Sequence, residues 1–190
     1  MALLSRLGRT RARLDFAVSM ALSIILIAFG STSYAQGTSA GYQVKAVFLY
    51  NFARFVDWPA KAFPDSQSPF VIGVLGDDPF GPYLDETVRG EKIGNRSLIV
   101  QRFHRVADIK NCQVLFISRS ESDRLDQDLS ALRGRTMLTV SDLDDFGSHG
   151  GMIRLATERG KVRLFIKLDA ARNSGINISS KLLRVAEIEH

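Results

Sequence analysis

The sequence predicts an α/β fold: a single-domain three-layer sandwich whose mainly parallel, Rossmann-like sheet ends in an antiparallel hairpin. Three observations predict it. The short apolar runs FVIGVLG, SLIVQRF, CQVLFIS and TMLTVSD alternate with stretches of helical spacing, as strands covered on both faces and joined by right-handed crossovers would. An aromatic helix opens the ordered chain, at YQVKAVFLYNFARFVDWP. Near the end, GGMIRLATERGKVRLFIKL reads as two strands around a turn centred on Glu158, Arg159 and Gly160. With 190 residues, 45% of them hydrophobic and 24% charged, the chain has the composition of one globular domain. Its one cysteine, Cys112, excludes an internal disulfide and a thiolate zinc site.

The first 35 residues have the layout of an export signal. Arg6, Arg9, Arg11 and Arg13 precede an apolar run of 14 residues, Phe16 to Phe29, and Ser33 and Ala35 are the small residues of a cleavage site. The run is shorter than the roughly 20 residues that span a bilayer, so cleavage after Ala35 is expected rather than a retained anchor. Removal takes away four arginines and one aspartate and leaves 21 basic against 19 acidic side chains. No dense Lys/Arg cluster remains, which argues against nucleic acid as a partner.

Residues 36–41, QGTSAG, are small and polar and are expected to form a flexible leader, with the domain proper spanning 42–190 and structure starting near Tyr42. From there Val44, Val47, Phe48, Phe52, Phe55 and Val56 recur at helical spacing, and Pro59 ends the helix. Leu49 and Tyr50 extend its apolar surface beyond one stripe, so more than one face needs cover. FVIGVLG is the first strand. GDDPFGPYLDETVRG is a turn and short helix starting near Pro79, SLIVQRF the second strand, RVADIKN a connection and CQVLFIS the third strand. Ser120, with Glu121 and Asp123 behind it, opens a helix through Leu132, acids in its first turn favouring the helix dipole. TMLTVSD is the fourth strand. In the hairpin, Val162, Leu164 and Ile166 alternate with Arg163 and Lys167, which suggests one wet face at the sheet edge. SSKLLRVAEI is expected to be a terminal helix.

Taken in order, VKAVFLYNFARFVDWP, FVIGVLGDDPFG, CQVLFIS, MLTVSD with DDFGSHGGMIRL, and the LLRVA ending make a pattern that resembles the YfiR family, from Tyr42 to about Ala186. The resemblance implies an exported, dimeric α/β protein that binds the periplasmic sensor domain of an inner-membrane diguanylate cyclase and represses cyclic di-GMP synthesis. It implies a regulator and homodimer without catalysis or cofactor. Members controlled by envelope redox state need paired cysteines, and Cys112 stands alone. An intermolecular bridge through it stays open beside the reading as a small buried core residue.

Two candidate sites follow. Ligands in parallel sheets bind at the carboxyl ends of the strands, and here those ends carry Gly76, Asp77, Asp78, Ser118, Arg119, Ser120, Ser141 and Asp142. They form a candidate small-molecule pocket, with turn and capping chemistry as the other explanation. On the aromatic helix, Leu49, Tyr50, Arg54 and Trp58 are the candidate interface for a second copy or the sensor, with plain core packing as the other. Gly76 and Gly81 do not make a phosphate loop, since Pro82 and Tyr83 stand where Lys and Ser/Thr are needed. His104, His149 and His190 are scattered, and no G-x-S-x-G, H-E-x-x-H or C-x-x-C occurs, so neither catalysis nor a metal is expected. Asp142, Asp144 and Asp145 read as a solvated acidic loop rather than a cation site. The alternative to a cyclase repressor is a periplasmic small-ligand-binding module acting with another membrane sensor.

Overall fold

The apolar runs Phe70–Leu75, Val114–Ile117 and Leu138–Ser141 become strands that are buried at every position and so covered on both faces, whereas the strands towards either edge are part exposed. The computed structural model describes residues 33–189, and the compact unit begins at Ser39. The export signal expected over 1–35 lies, up to residue 32, outside the described residues, as does His190. Helix α1 runs Ser33–Phe55, so the segment 36–41 is helical and not the flexible leader expected from its composition. The strands are β1 Val56–Asp57, β2 Phe70–Leu75, β3 Lys92–Ile93, β4 Arg96–Phe103, β5 Val114–Ile117, β6 Leu138–Ser141, β7 Ile153–Glu158, β8 Lys161–Lys167, β9 Asn177–Ile178 and β10 Glu187–Glu189. Helices α2 Pro82–Val88, α3 Leu125–Ala131, α4 Leu168–Asn173 and α5 Ser180–Leu183 lie between them.

The main sheet has the order β10-β8-β7-β6-β5-β2-β4-β3. β4, β2, β5, β6 and β7 are mutually parallel; β3 and β8 run against their neighbours β4 and β7. The sheet is therefore the mixed, mainly parallel one the sequence predicts. Alternation along β2 divides the core. Phe70, Ile72 and Val74 face a cluster with α1, α2, α4 and α5, whereas Val71 and Leu75 face one with α3. Buried Gln113 ties the layers, its Oε1 accepting from Val71 N–H at 2.8 Å and its Nε2 donating to the Ala62 carbonyl at 2.5 Å. That pairing is what a polar side chain needs when it leaves water.

Three local expectations are corrected. The hairpin turn is as predicted, with Arg159 at φ 49° and Gly160 at φ 76° between paired Glu158 and Lys161, the primed geometry that matches strand twist. However, β8 is not the sheet edge, because β10 lies parallel beside it. The expected terminal helix accordingly stops at Leu183. Beyond it, Arg154 holds Glu189 at 2.8 Å while stacking on Phe165, and Arg163 holds Glu187, so cross-strand ion pairs win over weak helical propensity. The inward stripe of α1 is also rotated from the expected one. Ala46, Leu49, Phe52, Ala53 and Val56 are buried, while Val44 and Val47 are 46% and 48% exposed.

Candidate functional site

The carboxyl ends of the strands carry a buried charge cluster that joins α1 to the sheet. Asp142, just past β6, is 2% exposed, and Lys45, on the inward side of α1, is 4% exposed. The Lys45 ammonium donates to Asp142 Oδ2 at 2.6 Å, and the Tyr42 hydroxyl donates to the same oxygen at 2.8 Å. Arg119, half-exposed at the end of β5, donates to the Asp142 carbonyl at 2.5 Å and lies 3.3 Å from Oδ1. Lys45 also sits over the Tyr42 ring, 4.4 Å from its centroid, and that ring meets Phe80 edge-on. Burial, helped by the neighbouring carboxylate, pushes the Tyr42 hydroxyl up to about 12, so it stays a proton donor. Asp142 Oδ1 has no hydrogen bond of good geometry, and the carboxylate relies on Coulombic attraction to Arg119 there.

Each of the eight residues expected to line a pocket has a place in this end of the fold, and most are spent on one another. The Asp77 N–H donates to Ser120 Oγ at 2.9 Å. Gly76 sits at φ 85°, and a Cβ there would overlap Ser120 Oγ, so the backbone and this side chain close the gap between β2 and β5. Asp78 Oδ1 accepts from Phe80 N–H at 2.7 Å, and its Oδ2 pairs with Arg102 at 2.8 Å. Ser118 N–H donates to Leu75 O, and Ser141 Oγ donates to Ile117 O at 2.8 Å while accepting from Leu143 N–H. Only Arg119 and Asp142 converge on a shared electrostatic centre. Asp142 is bound to Lys45 and not to Asp144 or Asp145, and among the described residues no group of acids, His or Cys is placed to hold a metal ion.

The candidate interface residues separate as well. Leu49 is fully buried in the core, which removes it from any contact surface. Trp58 is half-buried, edge-on to Phe70 with its Nε1 donating to Ala53 O at 3.2 Å. Arg54 faces outward, and Tyr50, partly buried against the core, brings its hydroxyl to the surface: that hydroxyl donates to Glu91 at 2.6 Å and accepts from Arg54 at 3.2 Å. Glu91 raises the Tyr50 pKa above that of an ordinary phenol. With exposed Val44 and Val47 these two make the outward face of α1.

Reasoning from sequence missed Lys45 and Tyr42. The signal was present: Lys45 stands four residues before Leu49, one helical turn along the buried stripe, and a lysine there demands a carboxylate. No curated protein matches the chain. A solved structure described as a conserved domain protein from Vibrio cholerae is similar at 13% identity and a TM-score of 0.48, covering 68% of this chain and 57% of that one; the chain thus spans little more than half of that protein's length. A family model described as YfiR/HmsC-like matches residues 42–187, which takes in α1 from Tyr42 onward, the charge cluster and nearly the whole sheet: the chain belongs to the YfiR/HmsC-like family, a regulatory family.

Proposed function

We propose that the protein is exported, is cleaved after Ala35, and in the periplasm binds the sensor domain of an inner-membrane diguanylate cyclase, holding cyclic di-GMP synthesis down. The observation that carries this reading is the family match over residues 42–187. The outward face of α1 supports it. Val44 and Val47 expose apolar surface beside Tyr50 and Arg54, the mix of aromatic, aliphatic and arginine side chains from which protein contacts are built. A homodimer uses this face or leaves it to the sensor, and the role is regulatory rather than catalytic. The buried Lys45–Asp142 pair has a positioning part in this reading, since it fixes α1 to the sheet and so sets the face that a partner meets.

Cellular cyclic di-GMP is the direct test, in a strain lacking the protein and in strains given back the full chain or a version without residues 1–35. Repression restored by the exported form alone is the expected outcome, and Val47→Glu in that form, at a position 48% exposed, should abolish it while leaving the fold intact. A level that moves in none of the strains would sink the reading. A second reading, a periplasmic ligand-binding module acting with another membrane sensor, is favoured by a cavity of about 510 Å³ between the β4–β5 connection and α3.

A further inference from the structure

A second cavity, of about 300 Å³, opens at the amino ends of β5 and β6, the opposite end of the sheet from the charge cluster. Lys61, Lys110 and Arg135 line it, and no carboxylate does. Among the described residues none of these three cations holds an acid; Asp108, two positions before Lys110, is taken by Arg105 at 3.0 Å. Elsewhere the pattern is the reverse, with Arg102, Arg119, Arg124, Arg154 and Arg163 each matched to a carboxylate. The donors come from two dipeptides, Lys110–Asn111 ahead of β5 and Arg135–Thr136 ahead of β6. Arg135 clamps the two together, its Nη2 donating to the Ile109 and Lys110 carbonyls at 2.6 and 3.1 Å. Those bonds hold the guanidinium from one side and leave Nε and Nη1 without a partner and open to solvent. Lys110 and Asn111 are exposed, and the hydroxyl of half-buried Thr136 is likewise unpartnered and open to solvent. Lys61 stands at the rim, its Nζ 3.2 Å from where a Cβ on Gly175 would lie. Cys112, the other titratable group of the lining, is buried, and its thiol is pushed up to about 12 and stays neutral.

We propose that this cavity binds a dianionic phosphate group, free or as the monoester of a small organic molecule, with Arg135 and Lys110 as its cations. A pre-positioned guanidinium with two uncommitted nitrogens suits an oxyanion in fork geometry. A monocarboxylate brings one charge and two oxygens to a lining that offers two adjoining cations, a hydroxyl and an amide. A phosphate monoester brings a charge of about −1.5 to −2 and three strong acceptor oxygens, enough to engage the guanidinium, the ammonium and a neutral donor together. The volume is at the low end of the span of about 300–1,000 Å³ usual for small-ligand sites, and Phe63 and Met137 on its wall would cover a short carbon chain. The inference goes beyond both readings of the function: it uses neither the outward face of α1 nor the larger cavity beside α3, with which this one shares only Arg135.

The test is calorimetry on the exported protein in a phosphate-free buffer, with inorganic phosphate, glycerol 3-phosphate and acetate as probes. Phosphate or its ester should bind saturably, one per chain, and acetate should not. Tighter binding of glycerol 3-phosphate assigns the site to a monoester, and equal or tighter binding of phosphate assigns it to the free ion. Arg135→Gln and Lys110→Gln should each weaken binding about tenfold, the scale of losing one charged hydrogen bond. Arg135 also ties two carbonyls, so folding of its variant is checked by circular dichroism; Lys110 has no side-chain partner to lose, and its variant should keep the wild-type Tm. Because the dianion is the ligand, affinity should fall as pH is lowered from about 7.5 to about 5, through the second phosphate pKa of about 6. Failure of both phosphate and its ester to bind, acetate binding as tightly as either, or full affinity in the folded Lys110 and Arg135 variants overturns the proposal. None of these results bears on the cyclase reading, which cellular cyclic di-GMP tests separately.

Discussion

Replacing Lys45 by Met tests whether the Lys45–Asp142 pair is a buried charge pair that the fold depends on. At 2.6 Å and an effective dielectric constant of about 20, the attraction is about 6 kcal/mol. Burying two ions costs several kcal/mol each, so the intact pair is close to neutral for stability. Breaking it is different, because Asp142 stays buried at 2% exposure after its cation has gone. Removal of one partner of a buried pair costs about 3–5 kcal/mol. Arg119 at 3.3 Å and the Tyr42 hydroxyl compensate in part, which puts Lys45→Met near the low end, at about 3 kcal/mol. For a domain of this size that is a fall in Tm of about 6–12 °C. Urea denaturation measures it, and Lys45→Met/Asp142→Asn should recover at least about 1 kcal/mol, because the stranded charge is gone. A loss below about 1 kcal/mol for Lys45→Met, with additive effects in the double variant, would refute the claim that this ion pair is sealed from water.

Gly73→Ala on β2 should cost about 1–3 kcal/mol by overpacking, because the new Cβ would lie 2.7 Å from Cys112 Sγ, 2.8 Å from Phe103 Cε2 and 2.9 Å from Leu115 Cδ1; urea midpoints read this, and an unchanged midpoint contradicts the packing. Burial pushes the Cys112 thiol up to about 12, so iodoacetamide at pH 8 should label it only after denaturation, and rapid native labelling would show the strand end to be open. His149 bridges Asp126 at 2.6 Å and Asp145 at 3.1 Å, chiefly Asp126 raising its pKa above an ordinary imidazole's. Because the folded value is the higher, its stabilisation is complete below the unfolded pKa and is lost as pH rises through the folded one. An NMR titration should find His149 above an ordinary imidazole and find it lowered by Asp126→Asn; equal values in wild type and variant would contradict the bridge.

Strands β2, β5 and β6 were legible because their signal is local: a run buried on both faces must be apolar throughout, and FVIGVLG or CQVLFIS admits no other environment. The rest depended on partners distant in sequence. β10 exists because Arg154 and Arg163 offer Glu189 and Glu187 counter-ions, and nothing within SSKLLRVAEI announces them. β1 and β9 are two residues each, Val56 facing Ile178, too short for any periodicity. On α1 the apolar count was right and its phase wrong. Val44 and Val47 look like core residues only if Lys45 is assumed to be outside, and Lys45 is inside because Asp142 waits for it 97 positions later.

That same phase error carries information about the surface. Had the valines faced the core, Lys45 would have been an ordinary solvated cation and α1 would have needed no charge pair to seat it. The observed phase replaces apolar burial at two positions by an ion pair of nearly zero net stability, and leaves two valines in solvent. Exposed valines cost solubility without helping the fold, and an ion pair specifies a geometry better than it stabilises one. The combination fits a helix whose orientation matters more than its burial. The face so presented, from Val44 to Arg54, is the part of the molecule where substitution should separate partner binding from folding, whereas any change at Lys45 or Asp142 should disturb both together.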